Sequence, residues 1–217
     1  MLDKKLYAAE IGKRLGELYP EAHVELDYTT PFELMIASIL AAQNTDKNIN
    51  RLTPELFRKY RTPADYLASP PGELERDIHK SGFFNQKAKS IRAVCQKLID
   101  DFGGEVPTTM EELLTLPGIG RKTATVVLGD GMGITAGITV DVHNIRLSAR
   151  LGLSEQKLAD KIEKDLMGIV DKKDWILWGQ WITWHGRRIC HAKKPDCLNC
   201  VLNDICPTGQ SILTSVS

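Results

Sequence analysis

Four cysteines near the end of the chain have the residue type and spacing of a metal-binding site. They follow the pattern C-x6-C-x2-C-x5-C, at Cys190, Cys197, Cys200 and Cys206. Four thiolates are the ligand set of a [4Fe–4S] cluster and also of a structural zinc ion. Zinc sites usually pair two C-x2-C knuckles across a long spacer, whereas this segment has one short pair flanked by longer loops. The spacing therefore favours iron–sulfur over zinc, and both over disulfides.

Disulfides would require an oxidising compartment, which the start of the chain does not indicate. The segment MLDKKLYAAEIGKRL is predicted to be a charged amphipathic helix, and it lacks an apolar core of signal-peptide length. We therefore expect a cytoplasmic protein with reduced thiols. Cys95, the fifth cysteine, falls on an apolar helical stripe with Ile91, Val94 and Leu98, so we expect it to be buried in a core.

The segment from Leu116 to Ala124, LPGIGRKTA, is predicted to form two helices joined by a tight turn at 116–120. Gly118 and Gly120 permit backbone conformations that a side chain would block, and they open the amides at a helix N-terminus to an anion. A nucleic-acid phosphate fits such a site without any base being read. An ordinary helix–turn–helix corner has the same short pattern, so the pattern alone leaves both interpretations open.

Lys122 and Asp141 are the side chains near this segment that are best placed for catalysis. Lys122 is in the first turn of the predicted helix, where the helix dipole disfavours a cation and favours the uncharged amine that can attack a sugar C1′. Asp141 precedes another predicted helix, so its carboxylate can cap that helix and stabilise an oxocarbenium ion. The simpler alternatives are a solvated lysine that contacts phosphate and an aspartate that only caps a helix.

Helical periodicity dominates the elements that must position these residues, and strand alternation is almost absent. Helices are predicted over residues 2–19, 31–42, 47–60, 63–68, 71–80, 86–102, 121–128, 144–150, 155–167 and 172–187. Thr30 and Thr108 are predicted to open capping boxes with Glu33 and Glu111, Pro54 is a possible helix break, and the glycine-rich segment 129–137 is predicted to be a connector. The predicted fold class is all-α.

Length and composition limit the number of domains and the kinds of partner that the chain can have. The 217 residues, 42% of them hydrophobic, are enough for one large or two small domains with a real core. The 28 basic and 28 acidic side chains cancel, so any nucleic-acid contact must come from local patches. The longest apolar run, residues 34–42, is far shorter than the ~20 residues that span a bilayer. We expect no membrane partner.

Together, these features resemble the endonuclease III family of DNA base-excision glycosylases. The resemblance rests on LPGIGRKTA, on VDVH, on the cysteine spacing, and on the segments PFEL, AQNTD and GFFNQKA, so it covers nearly the whole chain. It implies two all-helical domains that flank a DNA-binding groove. One is a six-helix barrel over residues 23–135 with the hairpin at 116–120, and the other is a [4Fe–4S] cluster domain formed by residues 1–22 and 136–217.

The resemblance also implies a base-excision repair enzyme with two activities. It would remove oxidised or ring-saturated pyrimidines from duplex DNA as an N-glycosylase, and cleave the abasic site 3′ by β-elimination as an AP lyase. Lys122 is the implied Schiff-base nucleophile and Asp141 the essential carboxylate. The expected partner is double-stranded DNA containing damaged bases or abasic sites, bound by a monomer that is associated with the nucleoid through DNA.

Several further residues are expected to contact DNA. The family places a polar and an apolar side chain in the space left by an extruded nucleotide, and these match Gln43 and Phe83. Leucine is expected at the position of Phe83 and threonine at that of Val142, so this chain departs from the pattern twice. The remaining expected contacts are Gly118, Gly120, His143, Arg187, Lys193 and Lys194. The basic side chains have an alternative role in offsetting the thiolate charge, and His143 has one in local hydrogen bonding.

Three rival functions compete with this interpretation. A monofunctional mismatch glycosylase of the same superfamily typically lacks a lysine at the position of Lys122. A non-catalytic DNA-binding module would use the hairpin to bind phosphate and the cysteines to bind zinc. A redox carrier would leave Lys122, Asp141 and the hairpin unexplained.

Overall fold

The computed structural model describes the backbone of residues 3–216 and the side chains of residues 3–214. All regular secondary structure in the described part is helical, with no strand, which confirms the all-α prediction. Its helices are α1 (Lys4–Leu18), α2 (Pro31–Ala41), α3 (Asp46–Lys59), α4 (Pro63–Ala68), α5 (Glu73–Asp77), α6 (Phe84–Phe102), α7 (Met110–Leu113), α8 (Arg121–Val126), α9 (Val142–Arg150), α10 (Ala159–Ile169), α11 (Trp175–Arg188) and α12 (Pro207–Val216). None of these described helices combines the length and the apolar character needed to cross a membrane.

The chain divides into two compact units, and α2 to α8 belong to the unit Val24–Ala136. Helix α2 lies in the middle of this unit's core, because its sequence is apolar on nearly every face. The Thr30 hydroxyl caps α2 by accepting a hydrogen bond from the Glu33 amide at 3.1 Å. The Glu33 carboxylate accepts from the amide and hydroxyl of Thr29, so the reciprocal capping box predicted at Thr30 is not formed. Leu34, Met35 and Ile36 are fully buried. The unit therefore packs around α2, and removing one such side chain would typically cost about 2–5 kcal/mol.

The other unit, Met1–His23 and Gly137–Ser217, contains α1 and α9 to α12. Its core includes Trp178 and Trp181 of α11, which are both buried. Both rings pack on α1 at two glycines, since a Cβ atom would lie 3.4 Å from Trp178 at Gly12 and 3.0 Å from Trp181 at Gly16. A side chain at Gly16 would require the Trp181 ring to shift by a few tenths of an ångström.

The structure differs from the sequence prediction at several element boundaries. The second capping residue is Thr109 and not the predicted Thr108. Its hydroxyl accepts from the Glu112 amide and donates to the Glu112 carboxylate, which is a side-chain cap and not the predicted reciprocal capping box. Helix α3 continues through Pro54, because buried residues on both sides of the proline pack into the core. A π-helical turn, Val127–Gly131, replaces the end of the predicted helix 121–128 and the start of the predicted connector 129–137. Helix α12 was not predicted.

Candidate active site and DNA interface

The hairpin turn is built around Pro117 and Gly118. The amide of Ile119 donates to the carbonyl of Leu116 at 3.1 Å, and Gly118 has a φ of +81°. A proline followed by a residue with positive φ is the signature of a type II turn, and only glycine adopts this conformation without strain. Leu116 and Ile119 are buried, so they anchor the turn to the core below it.

The backbone conformation of Gly120 does not require glycine, unlike that of Gly118. Its φ of −92° is open to any residue, so the predicted conformational requirement holds at Gly118 and not at Gly120. No atom lies within 4 Å of where a Cβ of Gly120 would be, and the residue is exposed. Gly120 is also the N-cap of α8, without a side-chain cap. The backbone at the start of α8 is therefore open to a ligand.

Lys122 is the second residue of α8 and is exposed. Within the described part of the chain, its ammonium makes no hydrogen bond or ion pair. After the partly buried Thr123, residues 124–129 are all buried, among them Ala124, Val126 and Val127. The helix is therefore fixed in the core while the lysine side chain stays free to meet a substrate.

Asp141 is the N-cap of α9, as the sequence predicts, and is held by several donors. Its Oδ1 accepts from the amides of His143 and Asn144, both at 2.8 Å, and from Asn144 Nδ2 at 3.2 Å. Among described residues, Oδ2 accepts only from Thr183 Oγ1, at 3.3 Å. One oxygen is saturated and the other has capacity left, so the carboxylate is fixed in place and can still interact with a positive charge.

Asn144 is a member of this site that sequence reasoning missed. It is fully buried, and its Nδ2 also donates to the carbonyl of Gly179 and to Thr183 Oγ1. These acceptors fix the orientation of the amide group, because the flipped amide would turn its oxygen toward them. Asn144 Oδ1 has no partner among the described residues. The sequence feature that could have identified Asn144 is a polar residue at a position of α9 that helical periodicity places on the buried face.

His143 has the local role that was one of its two predicted possibilities. It is half-buried, and its Nδ1 lies 3.1 Å from Arg146 Nη2. Burial lowers the pKa of His143, and Arg146 and Arg187 lower it further, while Asp141 opposes the shift. A Cβ at Gly186 would lie 2.8 Å from this ring, so the glycine is required for α11 to pack against it. The ring is therefore held between α9 and α11 by its contact with Arg146 and by the close approach of Gly186.

Gln43 and Phe83, the predicted gap-filling residues, both have left-handed backbones. Their φ values are 56° and 47°, and both are exposed, Phe83 to 67%. Ala42 precedes Gln43 and has a φ of −55° and a ψ of 120°, so the two residues form the centre of a type II turn. Gln43 occupies the position with positive φ, where glycine or asparagine is usual. The third non-glycine residue with positive φ among those described is Lys194, another predicted DNA contact. Such strain costs about 1–3 kcal/mol per residue and clusters at functional sites.

The four predicted ligand cysteines line one cavity. None is in a disulfide. No three described His, Cys, Asp or Glu side chains are close enough to hold a single metal ion. Four thiolates that line one cavity are the donor set of an iron–sulfur cluster, which takes one thiolate at each iron.

Donors surround the cysteine sulfurs. Arg150 Nη1 lies 3.1 Å from Cys190 Sγ, and the amides of Leu202 and Gly209 donate to Cys200 and Cys206. Burial raises the pKa of the Cys200 thiol to about 11, and coordination to a metal cation favours the thiolate form of such a group. The donor set and its surroundings therefore fit an iron–sulfur cluster.

The basic residues near the cysteines lie on an ordered surface. Arg187, Lys193 and Lys194 are all exposed. Residues 191–196, between the first two cysteines, form the basic loop. Arg150 supports this loop by donating to the carbonyls of His191 at 2.7 Å and Ala192 at 2.9 Å. The backbone of the basic loop is therefore held by Arg150, while its two lysine side chains remain exposed to solvent.

Two family models match this chain. Residues 36–172 match the HhH-GPD superfamily of base excision DNA repair proteins. Residues 190–206, which span the four cysteines, match the iron–sulfur binding domain of endonuclease III.

Known proteins are similar over nearly the full length. Endonuclease III of Synechocystis sp. is 47% identical over 211 residues, 97% of this chain and 96% of the relative. Endonuclease III of Bacillus subtilis is 44% identical, over 91% of this chain and 90% of the relative. The Escherichia coli K12 enzyme is 37% identical, over 94% of this chain and 96% of the relative.

Solved structures show the same similarity. A non-covalent endonuclease III–DNA complex matches with a TM-score of 0.91 and 41% identity, over 99% of this chain and 100% of the other. A trapped covalent endonuclease III–DNA intermediate has the same score and identity, over 98% and 100%. A thermostable thymine-DNA glycosylase, 22% identical with a TM-score of 0.83, shares the fold.

Proposed function

The chain belongs to the endonuclease III family, within the HhH-GPD superfamily of base excision DNA repair proteins, and we propose how its residues share the reaction. It is a DNA N-glycosylase and AP lyase that carries a [4Fe–4S] cluster and binds DNA. We propose as substrates duplexes containing oxidised or ring-saturated pyrimidines or abasic sites. The observation that carries the proposal is the exposed Lys122 in the first turn of the helix after the hairpin, in a chain similar to an enzyme trapped covalently on DNA.

In the proposed reaction, Lys122 is the nucleophile. Its amine attacks C1′, the bond from C1′ to the base breaks, and the base leaves with the electron pair and takes up a proton. Opening of the sugar ring gives a C1′ imine. Loss of a proton from C2′ then expels the 3′ phosphate and breaks the strand, and water hydrolyses the imine to release the enzyme. The absence of a described partner for Lys122 supports this role, since no ion pair must be broken first.

Asp141 is the proposed electrostatic partner in this reaction. Positive charge develops on the sugar as the base leaves, and a fixed carboxylate stabilises that charge without having to reorient. The hydrogen bonds to Oδ1 support this role, because they hold the carboxylate while Oδ2 keeps acceptor capacity. We propose that Asp141 also takes part in proton transfer.

The proposed DNA contacts fall into two groups. The open backbone at Gly118 and Gly120 would bind a phosphate, and Arg187, Lys193 and Lys194 would bind others and make affinity salt-dependent. His143 would contact DNA near Asp141. Gln43 and Phe83 would fill the space left by the extruded nucleotide, which recovers part of the few kcal/mol that extrusion costs.

The cluster has a proposed structural role. Cys190, Cys197, Cys200 and Cys206 would hold it, and when bound it would cross-link the end of α11, the basic loop and the start of α12. We further propose that the unit Val24–Ala136 is the barrel domain and the other unit the cluster domain. The active form is proposed to be a cytoplasmic monomer that associates with the nucleoid through DNA.

A panel of damaged duplexes, scored separately for base release and strand cleavage, tests this function. We expect thymine glycol to be released and the strand cut in the same reaction, with little action on 8-oxoguanine or on a G·T mismatch. Base release without strand cleavage would instead indicate a monofunctional glycosylase. Binding without either product would indicate a non-catalytic module.

A further inference from the structure

A buried lysine connects the two loops that carry Gln43 and Phe83. Lys87, near the start of α6, is only 5% exposed. Its Nζ donates to the carbonyl of Leu40 and to that of Ser81, both at 2.7 Å. Leu40 belongs to the last turn of α2, three residues before Gln43, and Ser81 lies two residues before Phe83. One ammonium therefore binds the backbone at the base of both loops.

The acceptors of Lys87 explain how a cation is tolerated there. Both acceptors are carbonyls near the C-terminal ends of helical segments, α2 and the 3-10 turn His79–Ser81. Such carbonyls lack an intrahelical partner, and the negative end of a helix dipole favours a cation. Burial lowers the pKa of Lys87, yet either protonation state of the amine can donate to both carbonyls. The lysine thus has a specific structural reason for its position.

Two asparagines reinforce the same connection from the other side. Asn44 Nδ2 donates to the carbonyl of Ser81 at 2.7 Å, and Asn48 Nδ2 donates to the carbonyl of Lys80 at 2.9 Å. Asn48 Nδ2 also donates to Asn44 Oδ1 at 3.1 Å. The Ser81 carbonyl therefore accepts from Asn44 and Lys87 together, so the loop after α2 and the loop before α6 are joined at one atom.

The two loops joined by Lys87 and the asparagines each contain a residue with a strained backbone. Gln43 and Phe83 keep a left-handed φ without glycine, and such a conformation persists only where the surroundings determine it. Their side chains are exposed, so side-chain burial does not hold them. The constraint must come from the backbone at the base of each loop, where Lys87 and Asn44 bind.

We propose that Lys87 is a positioning residue that holds Gln43 and Phe83 at a fixed separation and orientation for filling the space left by an extruded nucleotide. This inference rests on the proposed function, because it assumes that these two side chains enter DNA. Lys87 touches neither the substrate nor Lys122 in this role. Its loss should impair the opening of a paired lesion much more than the cleavage of a site that has no base to extrude.

The test compares single-turnover rates on two duplexes, one with thymine glycol and one with a preformed abasic site. Lys87→Met removes the donor and keeps an unbranched apolar side chain. We expect it to slow base release from thymine glycol roughly 10- to 100-fold, because small displacements of positioned groups have effects of this size. Cleavage of the abasic duplex should change much less. Leu98→Ala is the matched control, since Leu98 is a buried residue of α6 that packs in the core cluster with Met110 and Leu113.

The control should lower the melting temperature and change both rates by the same factor. Equal changes of both rates in Lys87→Met would overturn the proposal and leave Lys87 as a stabilising residue only. Asn44→Ala is the second variant, in case Lys87→Met folds poorly. It removes the other donor to Ser81 and should lower the thymine glycol rate selectively by a smaller factor, and an unselective effect would count against the proposal.

Phe83→Ala separates a failure of this inference from a failure of the proposed function. If Phe83→Ala lowers the thymine glycol rate selectively and Lys87→Met does not, the positioning role is wrong while gap filling stands. If Phe83→Ala changes neither rate, the gap-filling role itself is wrong, and the inference falls with it. A selective effect in both variants supports the inference.

Discussion

The two proposed catalytic side chains have opposite surroundings. Asp141 is half-buried and accepts hydrogen bonds from two backbone amides, from Asn144 Nδ2 and from Thr183 Oγ1. Lys122 is exposed, and no described residue binds its ammonium. Residues of its own unit orient the Asp141 carboxylate before substrate binds, whereas the Lys122 amine is exposed on the surface of the other unit.

This difference matches the different tasks of an electrostatic stabiliser and a nucleophile. A carboxylate that stabilises a developing cation is most effective when it is already oriented, since reorienting it would consume part of the gain. A nucleophile must form a bond, and it must later be released from the imine, so strong ground-state contacts would hinder it. Substitutions around the two residues should therefore act differently.

Replacement of Lys122 should have the largest effect. Lys122→Ala removes the nucleophile, so strand cleavage at an abasic site should fall by at least roughly 10⁴-fold, as for loss of a covalent nucleophile elsewhere. A gel assay of cleavage measures the rate, and the affinity for an uncleavable abasic analogue controls for binding. Lys89→Ala, at an exposed lysine of α6 in the same unit, should cleave normally. Full cleavage by Lys122→Ala would contradict the proposed role.

Neutralising Asp141 should have the next largest effect. Asp141→Asn keeps a side chain that can cap α9 but removes its charge, so base release should fall roughly 10²- to 10³-fold. The melting temperature should change little. Asp3→Asn is a matched control, because Asp3 caps α1 in the same unit by accepting from the Lys5 amide. If both variants release base at the wild-type rate, Asp141 is only a helix cap.

The side chains that orient Asp141 should show a smaller effect. Thr183→Val keeps the shape and removes the hydroxyl that donates to Oδ2, so kcat for base release should fall roughly 10-fold, the size expected for a hydrogen bond to a charged group. Thr183→Ser should restore most of the rate because it keeps the hydroxyl. KM should be similar in both variants. Equal losses in the two would show that Thr183 matters for packing alone.

The hairpin glycines should show the smallest effect, and the two should differ from each other. Gly118→Ala forces a side chain into a φ of +81°, which costs about 1–2 kcal/mol of folding free energy. Gly120→Ala should leave stability nearly unchanged, because its φ is ordinary and the space around it is open. If Gly120 borders a phosphate site, this alanine should still weaken DNA binding. Thermal melting and fluorescence anisotropy with a labelled duplex measure the two effects.

Sequence reasoning identified the features that depend on local order along the chain. The cysteine spacing, the Pro117-Gly118 turn and the cap at Asp141 are each contained within a short segment. Their residue types carry the reason for the conformation, so the sequence alone was enough to predict them.

Features that join distant segments were not predicted. Asn144 reaches Thr183 across 39 positions, and Lys87 reaches Leu40 across 47. Helical periodicity indicates that such residues face inward, but it does not say which carbonyl or hydroxyl they meet. The left-handed φ at Gln43 and Phe83 was likewise beyond sequence reasoning, because neither residue type favours it.

Covalent trapping with borohydride is the most direct test that Lys122 forms an imine with the substrate sugar. The wild-type protein, incubated with an abasic duplex and reduced, should give a stable protein–DNA adduct, and peptide mapping should locate the modification on Lys122. Lys122→Ala should give no adduct, and Asp141→Asn should still form one on the abasic sugar, because no base has to leave. An adduct on another residue, or equal trapping by Lys122→Ala, would contradict the proposed mechanism.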